Sequence, residues 1–134
     1  YFEKLKNQEF KKIAIGNPKS VPAGRYAQDI LIFYEILPYI TDKLIYTENA
    51  RQVLDYVVQG EVDAGIVYAT DATLRSKGVV VISTAPESSH KPVVYTVAMI
   101  KETKNKDAAK KFISLVMSQE GQAVLNKHGF KSVK

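Results

Sequence analysis

The groups best suited to chemistry in this chain of 134 residues are main-chain donors rather than reactive side chains. The stretch Asn17-Pro18-Lys19-Ser20-Val21-Pro22-Ala23-Gly24-Arg25-Tyr26-Ala27 follows a short apolar run, Ile13-Ala14-Ile15-Gly16, and precedes a segment with helical spacing. A strand that ends in a Pro/Gly turn and opens a helix leaves several backbone N–H groups without partners. Those groups, together with the helix dipole, attract anions. Pro22 suits a first helical turn, where its missing N–H costs nothing. Gly24 lets a ligand come close to the backbone. Ala23, Gly24 and Arg25 are therefore candidate N–H donors to an oxyanion. Turns of this kind also occur as plain turns, so spacing alone leaves both readings open. Neither GxGxxG nor GxxxxGK[ST] is present, so a nucleotide phosphate is not indicated.

Side-chain catalysis finds little material. His90 lies in a polar loop, and His128 lies just before Gly129, where it suits the negative end of a helix dipole. A triad from Ser88 or Ser89 with His90 and Asp71 is arithmetically available, but no nucleophile turn accompanies it. Metal-ligand spacing is absent. Asp71 is expected to cap a short helix, and Asp63 to lie at a strand edge. Cysteine is absent, which removes disulfides and thiolate metal sites. No apolar run reaches the length of a membrane span.

Length and composition fit one globular unit with a proper core. The net charge of +5 is uneven. Residues 1–100 carry 11 Lys/Arg and 11 Asp/Glu, whereas residues 101–134 carry 8 Lys and 3 Asp/Glu. The excess is lysine along helical spacing, without interleaved arginines and aromatics. That is the pattern of a solvated face, not of a nucleic-acid surface. The chain begins at Tyr1 rather than Met, which reads as a processed product or a piece of something longer.

The elements that must position the donors follow from periodicity. Residues 12–16 read as a buried strand. A helix is expected from Pro22 to Leu37, with Ala23, Tyr26, Ala27, Ile30, Leu31, Tyr34 and Leu37 on one face and Pro38 at its end. Leu44-Ile45-Tyr46 is a strand candidate. A helix over 49–59 is capped by Asn49 or Thr47 and closed by Gly60. Val62–Tyr68 reads as a strand whose small Ala64 and Gly65 suit close packing, and a brief helix follows from Thr70 towards Gly78. Val79–Ile82 and Val93–Ile100 read as further strands, and 106–117 and 118–129 as two helices. This alternation predicts an α/β fold: a mostly parallel sheet with helices on both faces. Ligands on such sheets sit beyond the carboxyl ends of the strands. The turn at Val21–Arg25, the helix start at Glu48–Arg51 and Tyr68 all fall at that end.

Those places carry a family likeness. The strings Asn17-Pro18…Val21-Pro22-Ala23-Gly24-Arg25-Tyr26-Ala27, Glu48-Asn49-Ala50-Arg51, Gly65-Ile66-Val67-Tyr68…Asp71-Ala72, Pro86-Glu87-Ser88-Ser89-His90…Val94-Tyr95…Val97-Ala98 and Gly129-Phe130 resemble the molybdate-binding proteins of bacterial ABC importers, in order and with matching spacing. The resemblance implies one lobe of a two-lobed type II periplasmic-binding-protein fold that closes on molybdate or tungstate by hinge motion. It implies three contacts to the oxyanion: the Ala23 N–H, the Ala50 N–H and the Tyr68 hydroxyl. Gly24, Arg25 and Arg51 stand beside them as secondary candidates. No cofactor and no catalysis are implied. The implied partners are the membrane permease of the importer and an N-terminal lobe of the same protein, and the implied location is extracytoplasmic, with a lipid anchor as one option.

Two departures from the family pattern are Ala50, where valine is common, and Thr96, where proline is usual. Family members are roughly twice this length, as two lobes of ordinary domain size require. The expected division is 1–11 as the tail of an upstream element, 12–100 as the oxyanion-binding lobe, and 101–134 as helices returning towards the first lobe. The chain is thus expected to hold half a site. A ligand-sensing module of a transcription regulator shares the fold class and is the alternative.

Overall fold

The computed structural model describes residues 1–75 and 77–132, which fall into two compact units, Tyr1–Pro92 and Val93–Lys134. The first unit opens with a 3-10 helix, Phe2–Lys6, followed by β1 (Ile13–Gly16), α1 (Pro22–Phe33), α2 (Leu37–Ile40) and a 3-10 turn, Thr41–Lys43. Then come β2 (Leu44–Thr47), α3 (Ala50–Gln59), β3 (Ala64–Gly65), α4 (Ala69–Leu74) and a 3-10 turn at Glu87–Ser89.

The sheet has the order β2-β1-β3 and both pairings are parallel, with Ile13 opposite Leu44 on one side and Ala64 on the other. β1 is buried along its whole length, as a central strand covered on both faces must be. Its side chains alternate between faces. Ile13 and Ile15 join Ala27 and Leu31 of α1 with Ile36, Ile40 and Leu44, while Ala14 packs with Val53 of α3 and Val62. The expected parallel sheet with a helix layer on each face is therefore present in this unit. Gly65 allows α3 to come close: a β-carbon there would lie 2.7 Å from Val53 Cγ1 and 2.9 Å from Val57 Cγ2.

Two helix ends in this unit are set by the same device. Gly60 has φ +73, its N–H donates to the Val57 carbonyl, and the Glu61 N–H donates to that of Tyr56. This is the Schellman arrangement expected of a glycine stop. α1 ends the same way, but with Glu35 at the left-handed position, φ +53. The Glu35 N–H donates to Ile32 and the Ile36 N–H to Leu31. α1 thus stops at Phe33, four residues short of the expected Leu37. The buried Ile36 packing in the same cluster as Leu31 holds that bend. Pro38 does not end α1; it lies in the first turn of α2, where proline is tolerated.

Three expected strands are corrected. Val62–Tyr68 contributes only Ala64–Gly65 to the sheet, flanked by the Asp63 N–H to Lys12 and Ile66 N–H to Ala14 bonds. Val79–Ile82 and Val93–Ile100 form no strand among the described residues. A strand is a property of a pair, and neither segment has a partner ladder. Most of their side chains stay exposed, with Val80 at 86% and Ile100 at 74%.

The second unit contains α5 (Lys106–Met117) and α6 (Gln119–Lys127), close to the bounds expected from spacing. Ser118 caps α6 by accepting the Gly121 N–H at 3.1 Å. Tyr95 meets Phe130 edge-on at 5.5 Å. Neither helix buries a residue fully.

Candidate oxyanion site

The amino end of α1 follows directly from β1. The Asn17 carbonyl accepts the N–H groups of Ser20 and Val21, which closes the turn. The Val21 carbonyl then accepts both Gly24 N–H, at 3.0 Å, and Arg25 N–H, at 3.2 Å. Pro22 has no N–H to offer. Among the described residues, the Ala23 N–H has no acceptor within the chain. Of the three donors expected in this turn, Gly24 and Arg25 spend theirs on Val21, and Ala23 is the one left. Gly24 has a different task. It lies against the Gly16 carbonyl, so its missing side chain serves helix–strand packing rather than close approach of a ligand.

The amino end of α3 follows β2 in the same way. Asn49 is the cap: its Oδ1 accepts the Gln52 N–H at 2.9 Å, while Gln52 Oε1 accepts the Glu48 N–H at 2.9 Å. This reciprocal pairing satisfies two groups at the helix start. Thr47, the other candidate cap, instead donates its hydroxyl to the Asn49 carbonyl at 2.9 Å. The N–H groups of Ala50 and Arg51 have no acceptor among the described residues.

Tyr68 follows β3 and begins α4. Its carbonyl accepts the N–H groups of Asp71 and Ala72, so Tyr68 itself occupies the cap position. Asp71 lies inside the first turn and is not the cap, because the Tyr68 carbonyl already starts the helix. The half-buried Tyr68 ring meets Tyr26 of α1 edge-on at 6.4 Å, and Tyr26 meets His90 at 6.0 Å. Tyr26 and His90 were not singled out for this site from sequence. Their rings come together through a contact between residues 26 and 90, which no local spacing encodes.

Ala23, Ala50 and Tyr68 thus each lie just past the carboxyl end of one of three adjacent parallel strands. Ala23 is buried and Ala50 half-buried, whereas Arg25 and Arg51 are exposed. The first turns of α1 and α3 contain no acidic residue. Carboxylates are the usual complement of a helix amino end. Here each of these two first turns carries an arginine instead, Arg25 and Arg51, while Glu48 and Asp71 lie near the same strand ends. Arg75 and Asp55 form an ion pair at 3.2 Å away from these helix ends.

The alternative chemistries lack geometry. The Ser89 hydroxyl donates to the Pro86 carbonyl at 2.6 Å, and His90 Nδ1 lies 2.8 Å from the Lys91 carbonyl oxygen, so these two side chains face backbone and not each other. Asp63 accepts the N–H groups of Lys11 and Lys12 at 2.7 and 2.8 Å. Those bonds, that of Lys12 first, hold its carboxyl below the usual range. This carboxylate ties the approach to β1 to the approach to β3, at the amino ends of the strands and so opposite the end that carries the three candidate donors.

A family model described as bacterial extracellular solute-binding protein matches residues 2–131. The chain belongs to that family. As a member of the bacterial extracellular solute-binding proteins it is 43% identical over 122 residues to YvgL of Bacillus subtilis (strain 168), which is named among ABC transporter substrate-binding lipoproteins. It is 37% identical over 119 residues to the molybdate-binding protein ModA of Escherichia coli (strain K12). The matches cover 91% and 89% of this chain but 46% of each relative, so the chain spans about half their length. A solved substrate binding domain from Clostridium difficile, described as belonging to a molybdenum ABC transporter, superimposes with a TM-score of 0.84 at 36% identity, covering 100% of this chain and 58% of that one. This membership favours a solute-binding lobe over the sensing module of a regulator.

Proposed function

We propose that this chain supplies one half of a site for a tetrahedral oxyanion, molybdate or tungstate, in an extracytoplasmic binding protein that delivers its cargo to the membrane permease of an ABC importer. The carrying observation is that the Ala23 and Ala50 amides, with that of Arg51, have no acceptor among the described residues, at two helix amino ends past the same end of the sheet as Tyr68. A tetrahedral dianion needs several donors at once. Neutral N–H and O–H groups meet that need, and they reject protonated anions that would themselves need acceptors. Each helix amino end adds about 0.3–1 kcal/mol to anion binding. The remaining donors come from an N-terminal lobe; the chain spans 46% of each of these relatives, which leaves length for one. No catalytic step is assigned to the site; its task is capture and release.

The test is a thermal-shift panel on the full-length protein with molybdate, tungstate, sulfate and phosphate. A ligand that binds the native state alone raises the melting temperature. The reading expects a rise with molybdate or tungstate and a much smaller one with phosphate. Equal shifts with all four, or none, would overturn it.

A further inference from the structure

Thr47 is one of two buried polar residues among the described residues, 2% exposed at the end of β2. Its hydroxyl lies 2.9 Å from the Asn49 carbonyl and 3.4 Å from that of Ile15. A hydroxyl has a single proton, and the shorter contact takes it. The Asn49 carbonyl and the Ala50 N–H belong to one peptide group. That group is planar and trans, so the two bonds point in opposite directions; no cis peptide occurs among the described residues. Drawing the carbonyl back towards the β1–β2 junction therefore turns the Ala50 N–H away from it, out past the strand ends.

We infer that Thr47 is a positioning residue for the oxyanion site, aiming the Ala50 donor by holding the other end of its peptide. The inference rests on the proposed anion site but adds a residue that never touches the ligand. Two further bonds fix the surroundings of this peptide. The Thr47 carbonyl accepts the Asn17 N–H at 2.8 Å, which locks β2 to the turn that carries Ala23. The Asn49 side chain is committed to Gln52. As the cap carbonyl, the Asn49 C=O also starts the ladder of α3, and the Thr47 hydroxyl adds a second, buried bond that draws it towards the β1–β2 junction. Without that bond the 49–50 peptide tilts towards the helix ladder alone, and the N–H loses part of its preset direction.

The test uses the full-length protein with Thr47→Val, which keeps the shape and removes the hydroxyl, and Thr47→Ser, which restores it. Molybdate affinity is measured by calorimetry, and the Ala50 amide proton is followed by NMR. Thr47→Val is expected to weaken binding on the order of tenfold, the size of one misdirected hydrogen bond to a charged group. It is also expected to shrink the ligand-induced downfield shift at Ala50, with both effects recovered in Thr47→Ser. Wild-type affinity and an unchanged Ala50 shift in Thr47→Val would overturn the positioning role while leaving the anion site intact, as would a Thr47→Ser variant that matches Thr47→Val. A wild-type protein that does not bind molybdate would instead overturn the site reading itself, and the positioning role with it.

Discussion

Gly24 rests on Gly16: a β-carbon at Gly24 would penetrate the Gly16 carbonyl and come within 2.9 Å of the Asn17 carbonyl carbon. The obstructing atoms are backbone, so they cannot swing aside as a side-chain tip could. Gly24→Ala is expected to destabilise the fold by about 1–3 kcal/mol, the usual cost of overpacking. Urea denaturation measures it, and an unchanged midpoint would mean that α1 does not seat on β1 this closely.

Glu35 is the one described non-glycine residue with positive φ. It closes α1 in a position that glycine adopts at no steric cost. Glu35→Gly is expected to stabilise the chain by about 0.5–1 kcal/mol, after the greater freedom of glycine in the unfolded state is set against the relieved strain. A β-branched residue there should do the reverse. Thermal melts of Glu35→Gly and Glu35→Val decide the sign.

Asp63 gives a pH signature. Its folded carboxyl is held below the ordinary value of 3.8 by the N–H groups of Lys12 and Lys11. A depressed folded value stabilises the native state in full above the ordinary value, and that contribution is lost as pH falls through the folded one. Asp63→Asn should therefore flatten the acid limb of a stability-against-pH curve and leave its neutral-pH shape alone. A steeper acid limb in the variant would contradict the assignment.

Tyr68→Phe removes one hydroxyl while keeping the ring that meets Tyr26. The full-length protein carrying it should bind molybdate about 1–2 kcal/mol more weakly, the cost of one hydrogen bond to a charged acceptor. Calorimetry with unchanged affinity would remove Tyr68 from the site.

How much of this was legible beforehand depended on whether the signal was local. The Ile13–Gly16 strand, the Gly60 stop and the Ser118 cap are decided by neighbours a few residues apart, and each was readable from spacing; for the cap of α3 spacing left Asn49 and Thr47 both open, and the structure has Asn49. The stop at Glu35 was not, because glutamate is an uncommon left-handed residue and the apolar spacing ran on to Leu37. The strands at Val79–Ile82 and Val93–Ile100 were misjudged for another reason. Apolar β-branched runs state a propensity, while pairing needs a partner that a single segment cannot announce. At the candidate site, local spacing offered the N–H groups of Ala23, Gly24 and Arg25 alike, and the family resemblance alone put Ala23 first. The bonds of Gly24 and Arg25 to the Val21 carbonyl give a physical reason for that order. The hydroxyl of Thr47 read as a cap, and its bond to the Asn49 carbonyl is visible only in three dimensions.

Bare amides rather than charged side chains are proposed to grip the anion, and Ala50 allows a direct measurement. Asn49 has φ −161 and ψ 165, the extended backbone that suits a residue before proline. Ala50 is the first helical residue, where proline is tolerated. Ala50→Pro therefore deletes one N–H with little other change. Calorimetric titration of the full-length Ala50→Pro protein with molybdate should give an affinity lower by about 1.5–3 kcal/mol, with the unliganded melting temperature close to that of the wild type. Wild-type affinity in a normally folded Ala50→Pro protein would contradict the claim.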